Sequence, residues 1–222
     1  HYPLRRQRQM CIRDRAFTLR IINLEFWPRW YTDEGALGLV AENIGKGLWG
    51  YETWGPNFFP PVQPLLSTLM LKAFGKNFFA LRLPGAILGS ISPIVLYLIG
   101  KRLFGHRVAI IATLILTVIS IHINRIPLKA NFAAFFLLLT VLSYLKFKDN
   151  GRQGWVYFAG ISTGLAFLSR YEGVVGGLFL LFQSIVDKNL RRTWMFFPIA
   201  CALALISPLI GVLIDWNSFL FD

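Results

Sequence analysis

An acidic pair, Asp33-Glu34, and three cations placed later in the chain, Arg125, Lys129 and Arg170, are the residues with chemistry to offer. A positioned carboxylate takes a proton from a weak nucleophile and speeds attack by roughly 10²–10⁴-fold. A guanidinium grips an oxyanion with two parallel hydrogen bonds, and an ammonium meets it as a point charge. Cations that hold an anion and a carboxylate that handles a proton make a site with separated roles. Simpler roles compete with this one. Thr32 followed by Asp33-Glu34 is also a helix cap with acids in the first turn, and a basic side chain near a span end also snorkels to the interface.

The elements that must position these groups are apolar helices. Hydrophobic residues make up 55% of the 222 residues and mean hydropathy is +0.53, which sets the class as a polytopic membrane protein. Crossing about 30 Å of hydrocarbon takes roughly 20 apolar residues in a helix. The candidate spans are Leu83–Lys101, Arg107–Ile123, Asn131–Leu145, Trp155–Ser169, Gly173–Val186 and Trp194–Ile214. The fourth and fifth are short, as expected of tilted helices or of a hairpin that crosses only in part. None alternates polar and apolar residues as a membrane barrel requires. The expected fold is all-α, a polytopic transmembrane helix bundle with external amphipathic juxtamembrane helices.

Three regions follow. Residues 1–15 carry five arginines and one aspartate with no apolar run, and read as a translated sequencing adapter, a non-native leader. Without them the formal charge falls from +12 to +8. Residues 16–82 read as the remnant of a first span plus an external loop, and residues 83–222 as a six-helix membrane part. The expectation is a fragment whose C-terminal part is missing. Cys11 lies in the leader and Cys201 in a span, so no disulfide framework arises. His106 and His122 fall at opposite ends of one span and cannot share a metal.

Charge sets the topology. Lys101, Arg102, Arg107, Lys146, Lys148, Arg152, Lys188, Arg191 and Arg192 flank alternate connections, against only Arg125, Lys129 and Arg170 on the others. The positive-inside bias puts the first set in the cytoplasm. Asp33-Glu34 then falls outside, on the same face as the three disfavoured cations. The external segment carries a helical pattern over Ala36–Lys46 (Leu37, Val40, Ala41, Ile44) and a second over Leu65–Phe74 after Pro60, Pro61 and Pro64. Trp49, Tyr51, Trp54, Phe58 and Phe59 between them suit an interfacial aromatic belt or a sugar platform.

This ordered set resembles the C-type glycosyltransferase superfamily, in the branch of protein O-mannosyltransferases and aminoarabinose transferase-like enzymes. The matching landmarks are Asp33-Glu34, Ala41-Glu42-Asn43-Ile44, the Pro-rich entry from Pro60 to Leu71, Ala73-Phe74-Gly75-Lys76-Asn77 and Ala80-Leu81-Arg82-Leu83-Pro84. They continue with Gly100-Lys101-Arg102-Leu103-Phe104-Gly105, Asn124-Arg125-Ile126-Pro127-Leu128 and residues 164–173 around Ser169-Arg170-Tyr171-Glu172. Departures are Lys129-Ala130-Asn131, where relatives place a further acid, and Phe59-Pro60-Pro61, where Lys-Pro is common. Gly35-Ala36-Leu37-Gly38 lacks the usual aromatic, and Ala16–Trp27 is too short for a first span.

The resemblance implies an inverting transfer of a sugar from a polyprenyl-phosphate carrier to an acceptor on the extracytoplasmic face of a prokaryotic plasma membrane. Asp33 is then the general base with Glu34 beside it, and Arg125, Lys129 and Arg170 bind the donor phosphate. The implied partners are the lipid-linked sugar, a lipid, glycan or protein acceptor, and membrane lipids. No cofactor is required by these residues, while a divalent metal stays an open alternative because related enzymes include metal-dependent ones. The competing class is a transporter or flippase of an anionic lipid-linked sugar. It would be expected to keep acids within the spans and to show an internal repeat, and neither is seen. A non-catalytic scaffold would not need acids and cations on one face. The basic residues form no continuous patch for nucleic acid.

Overall fold

The computed structural model describes residues 18, 21–26, 32–48, 60–125, 129–187, 194–206 and 209, with the side chains of 32, 33 and 120–125 outside the description. Leader residues 1–15, the aromatic stretch from Trp49 to Phe59, the basic cluster Lys188, Arg191 and Arg192, and the end of the last expected span lie outside the described residues. Among those described, every regular element is helical. The α-helices are α1 (Thr32–Gly45), α2 (Val62–Phe74), α3 (Phe78–Phe104), α4 (His106–Arg125), α5 (Lys129–Asn150), α6 (Gly154–Ser169), α7 (Val174–Val186) and α8 (Phe196–Ala204). A 3₁₀ turn, Tyr171–Gly173, joins α6 to α7.

Helix α1 buries Leu37, Val40, Ala41 and Ile44, the face its periodicity predicts. It starts at Thr32 rather than Ala36, because acids in a first turn meet the positive end of the helix dipole and continue the helix. Helix α2 begins after Pro61 and stops at Gly75, whose φ of +82° favours glycine. Its packing is inverted relative to a soluble helix. Gln63, Ser67 and Thr68 are buried, while Leu65 and Leu69 are exposed. Thr68 Oγ1 donates to the Ala41 carbonyl at 2.8 Å, pinning α2 to α1. A helix that turns polar atoms inward and leucines outward is suited to lipid, not water.

Helix α3 starts at Asn77, whose side chain accepts the Ala80 N–H at 2.7 Å. Its 27 residues reach about 40 Å at 1.5 Å per residue, enough to cross a bilayer despite Pro84 and Pro93 inside it. Helix α4 folds back on α3 where Gly100 meets the backbone of Ala109. The far side of α4, with Val108, Ile111, Leu114, Ile115, Val118 and Ile119, is exposed and wholly apolar. Such a face needs lipid to cover it. Helix α5 runs on to Asn150, beyond the expected Leu145. Lys146, Lys148 and Asp149 therefore sit in its last turns, and Gly151 at φ +64° ends it.

Helices α5 and α6 form the most extensive pair, and α8 lies along α6. Gly160 faces Phe196 and Gly164 faces Leu203, so α6 and α8 run parallel through a small-residue contact. The core gathers Val95, Ile99, Phe135, Tyr144, Val156, Leu180 and Phe196. Helices α3 and α5 have the length and apolarity to cross a membrane. Helices α6 and α7, at 16 and 13 residues, span about 24 and 20 Å, short of the hydrocarbon thickness as expected. The chain is an all-α membrane helix bundle.

Candidate functional site

The acid pair stands in the first turn of α1, and its two members have different surroundings. Glu34 is buried, 1% exposed, against an equally buried Arg82 from the second turn of α3. Arg82 Nε donates to Glu34 Oε1 at 2.7 Å and Nη2 donates to Oε2 at 2.8 Å. Nη1 donates to the Leu24 carbonyl at 2.8 Å, and the guanidinium lies 5.3 Å from the Phe78 ring centre. One guanidinium thus joins the 21–26 segment, α1 and α3. Burying two charges is costly unless both are fully hydrogen-bonded, which this fork-to-fork geometry provides. The side chain of Asp33 lies outside the described residues, and its backbone occupies the helix position just before Glu34.

The cations sit on other elements. Arg125 ends α4, with its side chain outside the described residues, and Lys129 opens α5, half-buried. Arg170 follows α6 directly. Its Nε pairs with Glu172 Oε2 at 2.8 Å, and both side chains are about half exposed, at 48% and 63%. The hydrogen bond from Arg170 holds the Glu172 carboxyl below its usual range, and the reciprocal bond raises Arg170.

Axial positions follow from contacts at the opposite end. Arg102 and Asp149 are joined there by hydrogen bonds of 2.6–3.1 Å, so α3 and α5 run parallel. Arg82 and Lys129 each precede that link by 20 residues, about 30 Å of helix, and therefore lie at the same level of the bundle. Thr140 of α5 meets Thr163 of α6 at 3.3 Å. Counting outward from that contact at 1.5 Å per residue puts Arg170 within about one helical turn of the Lys129 level. Helix α5 also touches the 3₁₀ turn, and α2 touches α1, α3 and α6. Arg82, Glu34, Lys129 and Arg170 thus share one end of the bundle, while Arg102 and Asp149 mark the other. The expected approach of Asp33 to a cation lies outside the described side chains. Among the described residues no three His, Cys, Asp or Glu side chains group as a metal site would.

Sequence reasoning treated Arg82 only as part of a landmark. The signal that singled out Arg125, Lys129 and Arg170, a cation at a span end on the disfavoured face, applies equally to it.

Residues 59–211, well over half of the chain, match the family described as dolichyl-phosphate-mannose-protein mannosyltransferase. The chain belongs to that mannosyltransferase family. The match contains Arg82, Arg125, Lys129 and Arg170, and the acid pair precedes it. Two curated relatives come from Bacillus subtilis (strain 168). The "Putative mannosyltransferase YkcB" is 28% identical over 160 residues, which cover 68% of this chain and 22% of the relative. The "Putative mannosyltransferase YycA" is 31% identical over 124 residues, covering 53% of this chain and 18% of the relative. The chain therefore spans about a fifth of the length of these mannosyltransferase-named relatives. No solved structure matches it.

Proposed function

We propose that the protein containing this chain is an integral membrane glycosyltransferase that moves a hexose of the mannose class from a polyprenyl phosphate to an acceptor hydroxyl or amine. Membership of a family described by its dolichyl-phosphate-mannose donor supports the donor class. The observation that carries the reading is the buried Glu34–Arg82 pair, set at the same end of the bundle as Lys129 and Arg170. Both Glu34 oxygens already accept guanidinium N–H groups, so proton transfer falls to its neighbour, Asp33.

Asp33 takes the proton of the acceptor O–H or N–H as the acceptor atom attacks the anomeric carbon. The bond from that carbon to the phosphate oxygen breaks, and the configuration inverts. Negative charge gathers on the departing polyprenyl phosphate, where Arg125, Lys129 and Arg170 meet it. Arg170 exchanges Glu172 for phosphate at little cost, since an exposed ion pair contributes little. The basic residues near the Arg102–Asp149 end, Lys101, Arg102 and Arg107 with Lys146, Lys148 and Arg152, support by the positive-inside bias a site on the extracytoplasmic side. The exposed apolar walls of α4 and α7 face lipid, where the polyprenyl tail resides.

The test is release of polyprenyl phosphate from a labelled polyprenyl-phosphate mannose by the full-length protein in proteoliposomes containing native membrane acceptors. Release that needs the protein is expected. Consumption of a nucleotide-linked sugar instead, with the lipid donor untouched, would contradict the proposal.

A further inference from the structure

Arg82 has no task in the reaction just described, yet it is among the most completely buried side chains of the chain and is bonded through all three nitrogens. A buried ion pair is a poor means of stabilising a fold, because desolvation cancels much of its Coulomb energy and apolar side chains of equal volume serve as well. What a bidentate guanidinium supplies that apolar packing does not is orientation. Two parallel hydrogen bonds fix both the position and the plane of one carboxylate. The carboxylate so fixed belongs to Glu34, one residue along the backbone from Asp33 in the first turn of α1. The third nitrogen holds the Leu24 carbonyl, so the segment entering that turn is tied to the same point.

We infer that Arg82 is a positioning residue of this site, locking the first turn of α1 through Glu34 so that Asp33 is held at its acceptor. The inference rests on Asp33 being the base. Reacting groups must stand within about 3–3.5 Å in the correct direction, and a displacement of about 1 Å costs on the order of 10²-fold in rate. The guanidinium touches neither substrate nor transferring atoms. Its removal therefore lowers kcat and leaves donor binding, a property of Arg125, Lys129 and Arg170, as it was.

The experiment uses the full-length protein in proteoliposomes with labelled polyprenyl-phosphate mannose, comparing Arg82→Lys with the neutral pair Glu34→Gln/Arg82→Gln. Lysine keeps the charge but loses the two-point grip. The double variant leaves no charge buried alone, so it folds if the pair is not a staple. Both are expected to keep a folded, monodisperse protein with donor KM within about twofold, while kcat falls by roughly 10²-fold. The acid limb of the pH–rate profile persists in the double variant, because Asp33 still takes the proton.

Wild-type turnover and its loss in Asp33→Asn, read in the same assay, carry the underlying functional proposal separately. With those in hand, four results would overturn the role given to Arg82. They are wild-type kcat in the double variant, a donor KM raised tenfold in either variant, disappearance of the acid limb (making Glu34 the base), or loss of fold in both variants.

Discussion

Three glycines close together in the chain, Gly173, Gly176 and Gly177, should each respond differently to one substitution, alanine. A Cβ on Gly173 would fall inside the Ala166–Phe167 peptide, against backbone that cannot swing aside. On Gly176 it would lie 2.9 Å from Leu137 Cδ2, the far end of a flexible side chain, and on Gly177 it would make ordinary contact, 3.7 Å from Thr163 Cγ2. Overpacking costs about 1–3 kcal/mol where side chains can adjust, and backbone contact sits at the top of that range or above. Against this, glycine to alanine within a helix gains about 0.5–1 kcal/mol. The gain applies to Gly176 and Gly177 in α7 but not to Gly173 in the 3₁₀ turn. Gly177→Ala should therefore stabilise slightly, Gly176→Ala come out near zero, and Gly173→Ala destabilise. The gap between the extremes is roughly 3–4 kcal/mol, more than a hundredfold in the folding equilibrium. Denaturant titration of the three variants in detergent measures it. Arg170 precedes the same turn, so Gly173→Ala should also raise donor KM. Equal midpoints for Gly173→Ala and Gly177→Ala would refute the tight seating of the 3₁₀ turn on α6.

Other outcomes follow from single contacts. The Glu42 carboxyl is lowered from the usual 4.5 to about 2 by the hydrogen bond from Lys76 and then that from Lys46. Its small contribution is thus fully present above pH about 4.5 and lost as pH falls through about 2. Wild type should melt slightly above Glu42→Gln at neutral pH, with the gap closing below pH 4.5 and shrinking in high salt. Tyr144 Oη donates to Gln183 Oε1 at 2.8 Å between α5 and α7. A double-mutant cycle with Tyr144→Phe and Gln183→Leu should give a coupling of about 0.6 kcal/mol, the average for such bonds in membranes, and no more than about 1.7 kcal/mol. Arg170→Ala should weaken both donor binding and turnover, since the phosphate is charged before and during reaction. Glu172→Gln, by releasing Arg170, should lower donor KM; donor titration of the two variants reads the opposite signs.

The helices were legible because their signals are local. Pro61 and Gly75 bound α2, and the apolar run Leu83–Lys101 marks the span of α3, although that helix reaches from Phe78 to Phe104, beyond the apolar run, with Asn77 capping its start. The face of α2 was legible only as a pattern. Its period separates Leu65 and Leu69 from Gln63, Ser67 and Thr68, but which side is buried depends on whether water or lipid surrounds the helix. The pairing of Glu34 with Arg82 was not legible at all. A bond across 48 residues leaves no local pattern; Glu34 reads locally as a first-turn acid and Arg82 as part of the landmark at residues 80–84. Arg170 was visible as a cation on the disfavoured face, while its partner Glu172 passed as part of a landmark.

The central claim, that the acid pair divides into an anchored Glu34 and a reactive Asp33, is tested most directly by Asp33→Asn in the full-length protein. Asparagine is nearly the same size and still caps a helix through its side-chain oxygen, but it cannot take up the acceptor proton. Labelled polyprenyl-phosphate mannose should bind with unchanged affinity, and its turnover should fall by roughly 10²–10⁴-fold. Wild-type turnover in Asp33→Asn would contradict the account, leaving the pair as a helix cap and an anchor with no base between them.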